Sequence, residues 1–186
     1  MDALVVLWLP ILVSAVSVFV VSSLVHMLFK WHASDYRSLP NEDAVREVIR
    51  AGQPPPGTYV LPHCADMKAM SGEPMARKYR EGPVGFLTLT PNNPPPLLRS
   101  LGQWFGFSIL VSAIAAVLAA HYVGLTAGGG QAAAKFAGSV AFLAYGFGSI
   151  QQGIWEGKPW SSVLKYLLDA ALYSLATALV FGWLWP

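Results

Sequence analysis

Charge is scarce in this chain. Only 12% of its 186 residues are Asp, Glu, Lys or Arg, whereas 54% are hydrophobic and the mean hydropathy is +0.47. Soluble domains carry about 25% charged residues, so too little polar surface is left to coat a water-soluble globule. Cysteine is nearly missing as well. Cys64 stands alone, which excludes an internal disulfide and a multi-cysteine zinc site. The net charge of +2, with no basic stripe interleaved with aromatics, argues against nucleic acid as a partner. There is no Ser/His/Asp signature, Walker motif or HExxH, and the glycine-rich loop from Gly124 to Gly130 carries no lysine to hold phosphate. No catalytic residue and no cofactor are predicted, and the balance is against an enzyme.

What the chain does contain is long apolar runs. A hydrocarbon core about 30 Å thick needs about 20 such residues in a helix. Four runs meet the requirement: Ala3 to Phe29, Leu101 to Val123, Ala132 to Gly153 and Val163 to Trp185. Helices are required because lipid cannot satisfy an open sheet edge. The first run lacks a basic leader and a small-residue cleavage site, so it reads as a retained span. The expected fold is all-α: four transmembrane helices in an antiparallel bundle, with a small α+β cytoplasmic insertion between helices 1 and 2. The chain divides accordingly into a first span (1–29), a polar segment (30–100) and a three-helix membrane region (101–186).

Orientation follows from the basic residues. Lys30, Arg37, Arg46, Arg50, Lys68, Arg77, Lys78, Arg80 and Arg99 lie in the polar segment, and Lys158 and Lys165 flank the last turn between spans. The positive-inside rule therefore places 30–100 and 154–162 in the cytoplasm and both termini outside. Trp31, Trp104, Trp155, Trp160 and Tyr166 fit the inner interface; Trp8, Tyr122, Trp183 and Trp185 fit the outer one.

Small residues at helical spacing predict where helices meet. Span two offers Ser108, Ser112, Ala116 and Ala120. Span three offers Ala134, Gly138, Ala141, Ala144 and Gly148, and span four offers Ala170, Ser174, Ala178 and Gly182. The first span has fewer and is expected to pack more peripherally. A homo-oligomer interface is the alternative use of these seams.

In the polar segment, Asn41 followed by Glu42 and Asp43 predicts a capped amphipathic helix ending at Gly52. Thr58–Leu61 and Phe86–Thr90 are strand-like and suit a hairpin. Ala65–Met70 and Pro74–Arg80 read as short helices, and Pro94-Pro95-Pro96 as a stiff link into span two. So small an element is expected to lean on the lipid bilayer or on a protein partner through residues 30–100.

The runs Gly82-Pro83-Val84-Gly85-Phe86-Leu87-Thr88, Gln151-Gln152-Gly153-Ile154-Trp155 and Phe181-Gly182-Trp183-Leu184-Trp185-Pro186 resemble small bacterial four-helix inner-membrane proteins of unknown function. The resemblance implies a bacterial inner-membrane setting and supplies no activity or site residues.

One constellation stands out. Asp169 lies six residues into the fourth span, where a carboxylate needs a partner. Lys165 sits a turn earlier, and Tyr173 and Thr177 continue the same face. Gln103, Gln151, Gln152, Ser22 and His26 fall at the same depth on the other spans. The cluster predicts a proton-handling or ligand-binding pocket, with Asp169 as acid or base and His26 beside it; the plainer alternative is interhelical hydrogen bonding. His63, Cys64 and Met67 form a weaker soft-metal candidate with a strong competing role in packing. Trp31, His32 and Asp35 read as an interfacial anchor. The functional expectation is an accessory or assembly subunit contacting a partner. Its rivals are a small oligomeric transporter or channel, and a metal- or proton-handling protein using the polar cluster.

Overall fold

The computed structural model describes residues 3–66, 68–94, 96–125 and 128–186. Met67 of the soft-metal candidate, Pro95 of the proline link, and Thr126 and Ala127 of the glycine-rich loop lie outside the described residues. The protein is 73% helical, with four helices long and apolar enough to cross a membrane, packed together, and one small two-stranded sheet. It therefore fits a multi-pass membrane protein. The chain forms two compact units: Met1–Tyr36 with Pro95–Pro186, and Arg37–Pro94.

In the first unit, α1 (Ala3–Val6) and α2 (Trp8–Ser23) are separated by a turn at Leu7. Pro10 explains the break, because it lacks an N–H for the Val6 carbonyl and its ring crowds that carbonyl. After α2 the helix widens into a π-helical segment, Leu24–Phe29. Lys30 closes it with φ 52° and its N–H on the Val25 carbonyl. This left-handed residue turns the chain into a 3-10 turn, Trp31–Asp35, which packs against the last long helix. The anchor expected at the membrane edge is thus part of the bundle unit, so the boundary falls after Tyr36 and not at Lys30.

The remaining long helices are α5 (Leu97–Val123), α6 (Gly130–Trp155) and α7 (Trp160–Leu184). The small-residue seams meet as their spacing predicts. A Cβ added at Gly138 would lie 3.0 Å from the Ala178 Cβ, and one at Gly182 would lie 3.1 Å from that of Ala134. On α6 the seam continues to Gly146, against Ala170, and not to Ala144 or Gly148. In α5, Ser108, Ser112 and Ala116 are buried.

The first span is not peripheral. A third of its window (33%) is buried, as in α5 and α7, against 22% for α6. The reason is Ser14, fully buried in α2. It donates to Thr177 of α7 at 3.2 Å and accepts from Ser112 of α5 at 3.2 Å. Each such interhelical bond contributes about 0.6 kcal/mol. Leu7 and Ile11 complete the packing in a cluster with Ala115, Ala119, Ala137 and Phe181. Trp185, expected at the outer interface, is buried there too.

The second unit contains α3 (Glu42–Gly52), β1 (Gly57–Leu61), a short 3-10 turn (Ala69–Ser71), α4 (Glu73–Glu81) and β2 (Gly85–Leu89). The strands pair antiparallel, with Tyr59 opposite Leu87, as the alternating apolar residues predict. The helix expected over Ala65–Met70 shrinks to the 3-10 turn. Asn41 makes no side-chain cap; its carbonyl accepts the Val45 N–H instead, and the left-handed terminating residue is Gln53, φ 48°.

Candidate functional site

Asp169 is the buried carboxylate around which the site is built, 2% exposed on α7. Its two oxygens are held by the 3-10 turn that follows the first span. Trp31 Nε1 donates to Oδ1 at 3.0 Å, and His32 Nε2 lies 2.7 Å from Oδ2. The other ring nitrogen of His32, Nδ1, lies 2.8 Å from Asp35 Oδ2. Asp35 Oδ1 in turn accepts from Lys165 Nζ at 2.6 Å and from Ser162 Oγ at 2.9 Å. A continuous chain of polar contacts therefore runs from Asp169 through His32 to Asp35 and the half-exposed Lys165. Sequence separation is what hides it: His32 and Asp169 are 137 residues apart.

Proton counting gives this chain its chemistry. An imidazole that faces acceptors on both sides satisfies them with two N–H groups only as imidazolium; otherwise one carboxyl must carry the proton. One proton beyond the neutral ring's own N–H therefore completes the hydrogen bonding of the group. At its outer end the Lys165 ammonium, helped by His32 and Ser162 and opposed by desolvation, pulls the Asp35 carboxyl down from 3.8 to about 2. A depressed carboxyl contributes stability above its unfolded value, and that contribution is lost as pH falls through about 2. Asp35 is thus an anionic anchor throughout the neutral range.

The inner end opens on a cavity of about 410 Å³, lined by Asp169, His26, Ser22, Leu101 and four aromatic side chains: Trp104, Tyr145, Tyr166 and Tyr173. Trp104 Nε1 donates to Ser22 Oγ at 2.9 Å, so this tryptophan braces the cavity wall. Tyr173 is 4% exposed, and its hydroxyl has no hydrogen-bond partner among the described residues. An unsatisfied buried hydroxyl costs about 1–3 kcal/mol, a cost that a polar ligand would remove.

His26 stands on the widened segment of the first span, its ring stacked on that of His32 at 5.1 Å. Its Nδ1 lies 3.0 Å from the Ser22 carbonyl oxygen. Nδ1 must be the protonated nitrogen there, since a carbonyl can only accept, and the neutral ring then keeps a lone pair on Nε2. Among the described residues, His26, His32 and Asp169 form the single group of three potential metal donors, their donor atoms within 4.8 Å of one another.

No protein-family model, curated protein or solved structure matches the chain. The site therefore has to be judged on its own geometry.

The predicted residues divide cleanly. Asp169, His26 and Tyr173 come together at the cavity. Lys165 contacts Asp35 and Ser34, and is separated from Asp169 by Asp35 and His32. Gln103 and Gln151 are exposed, and Gln152 accepts from Lys158 at 3.0 Å; they share the depth of the cluster but not its face. Burial pushes the Lys158 ammonium down from its usual value, and its Nζ lies 3.8 Å over the Tyr166 ring. His63 is exposed, and Cys64 donates to the Asp66 carbonyl; neither joins a donor group among the described residues. Trp31, His32 and Asp35, expected as an interfacial anchor, are the residues that engage Asp169 directly or through the His32 ring. The usable signal was the requirement that Asp169 find a partner, together with the His32–Asp35 spacing one turn apart.

Proposed function

We propose that this is a multi-pass membrane protein that binds a small ligand beside Asp169 and exchanges a proton with it through His32, whose ring Asp35 holds in place. The observation that carries this reading is that Asp169, on the wall of a cavity, is bridged to Asp35 by the buried imidazole of His32. An intramembrane carboxylate is costly unless function or a partner retains it. A purely structural partner would not need an open cavity on its far side. Infrared difference spectra of the purified protein between pH 5 and pH 9 test the reading. Carboxyl and imidazole bands should change reversibly, and Asp169→Asn and His32→Gln should each abolish the change. A wild-type titration with no band belonging to these residues would remove the proton from the mechanism.

In this reading the four helices form an antiparallel bundle in a bacterial inner membrane, with Arg37–Pro94 cytoplasmic and both termini outside, on the strength of the basic residues. The lone thiol offers a check. Cys64 is half-buried and free, so a membrane-impermeant maleimide should label it in inverted vesicles and leave it untouched in intact spheroplasts. The opposite pattern would invert the orientation.

A second reading, an accessory or assembly subunit, is favoured by the separate Arg37–Pro94 unit. Its Val48, Val84 and Phe86 are 75%, 59% and 46% exposed, an apolar surface suited to a protein partner. Native mass spectrometry of gently released protein separates the two: a second polypeptide at fixed stoichiometry supports the subunit reading, and its absence counts against it.

A further inference from the structure

We infer that His26, His32 and Asp169 form a binding site for one divalent first-row transition cation, Zn²⁺ by preference, with its open coordination position facing the cavity. This rests on the reading of the Asp169 cavity as a ligand site and names the ligand's class.

The donor set is the first argument. Two imidazoles and one carboxylate are the three-ligand set of zinc centres that keep a fourth position open, and related sets hold other first-row ions. Hard cations such as Mg²⁺ prefer all-oxygen shells, so two imidazoles select against them.

The supporting shell is the stronger argument. A ligating histidine nearly always gives its other N–H to a carbonyl or carboxylate, which fixes the ring and directs the free nitrogen to the metal. All three donors here are held in this way. His26 Nδ1 is engaged by the Ser22 carbonyl and His32 Nδ1 by Asp35, while Asp169 Oδ1 takes the Trp31 N–H. Each keeps one atom free or exchangeable: Nε2, Nε2 and Oδ2. Asp35 is itself pinned by Lys165 and Ser162. Three independent orienting contacts exceed what a hydrogen-bonded helix anchor needs.

The separations fit after a small adjustment. A tetrahedral ion with bonds of about 2.0–2.1 Å holds its donors about 3.4 Å apart. The His32–Asp169 pair at 2.7 Å must open slightly. The donor atoms all lie within 4.8 Å of one another, so the wider separations must close by up to about 1.4 Å. His26 is the donor free to do this, because it is exposed and on the cavity wall. The buried, unpartnered Tyr173 hydroxyl on the same wall offers a contact for a water or substrate in the open position.

The exchange balances. Any proton on His32 Nε2 or Asp169 Oδ2 leaves to solvent as the cation takes its place.

The test uses the full chain in nanodiscs, stripped with chelator and titrated with Zn²⁺ by calorimetry, and with Co²⁺ as an absorbing substitute. One equivalent of Zn²⁺ should bind. Co²⁺ should show the intense visible bands of a four-coordinate site, and Mg²⁺ should not compete. His26→Ala, a change at an exposed side chain that spares the fold, should weaken Zn²⁺ by about 100-fold or more. Asp35→Asn should weaken it about 10- to 100-fold at unchanged stoichiometry. Retention of full affinity in His26→Ala, or loss of the equivalent in a His63→Ala/Cys64→Ser variant, would overturn the site. If Zn²⁺ does not bind but the infrared titration at Asp169 and His32 persists, the metal inference fails and the proton-handling site stands. If both are absent, both fall.

Discussion

Replacing His32 by alanine is expected to lower the stability of the protein by about 3–5 kcal/mol, the usual cost of removing one partner from a buried charged group. The imidazole lies between Asp169, 2% exposed, and Asp35, whose side chain is 9% exposed. Without it Asp169 Oδ2 loses its donor, and two carboxylates face one small void with nothing between them. Asp169 keeps Trp31, and Asp35 keeps Lys165 and Ser162, so the damage concentrates on one oxygen and on the repulsion. His26→Ala is the control. His26 is exposed, with one backbone contact, and its loss should cost under about 1 kcal/mol. Unfolding in mixed micelles, followed by tryptophan fluorescence, reads both. Equal and small effects would mean that the 3-10 turn is not seated on α7.

The second large effect is at the α6–α7 seam. Gly138→Leu should destabilise the bundle by about 1–3 kcal/mol through overpacking. A Cβ at that position already meets the Ala178 Cβ at 3.0 Å and the Ser174 carbonyl oxygen at 3.3 Å, and a backbone carbonyl cannot move aside alone. Two helices held by close backbone approach must separate along the whole seam. At Gly148, ten residues on along the same helix, an added Cβ meets no neighbouring element within 4 Å, so Gly148→Leu is the contrast. It should be neutral, or slightly stabilising through helix propensity. Thermal unfolding of both variants in one detergent checks the register. Equal losses at the two positions would contradict the packing of α6 on α7.

These effects also show where a sequence of this kind is readable. The spans were legible because twenty apolar residues with almost no charge have one physical solution in lipid. The seam was legible because small residues at four-residue steps have one obvious use. At Ala141 the reading drifted, following a three-residue step to Ala144 where the helix goes on to Gly146. Depth along a helix follows from counting residues, so Asp169, His26 and the glutamines were placed at one level. Rotation about the axis does not follow from counting, and the glutamines turned out to face away. His32 was hidden for a third reason. It reaches Asp169 only because the helix widens before Phe29 and Lys30 adopts a left-handed conformation. Neither feature has a periodic signature, and Lys is not a residue from which a left-handed turn is expected. The misplacement of the first span had the same root. Ser14 looked like one polar atom in an apolar run, and its value as the hub between Ser112 and Thr177 exists only in three dimensions.

The central claim is that His32 and Asp169 act as one unit. It is tested most directly by a double-mutant cycle in unfolding free energy, using His32→Gln, Asp169→Asn and the double variant. Residues in direct contact within one polar network couple by about 0.5–3 kcal/mol. The expected result lies in the upper half of that range, with the double variant clearly less destabilised than the sum of the single ones. Losses that simply add would mean that the two side chains do not meet, and both the proton path and the metal site would go with them.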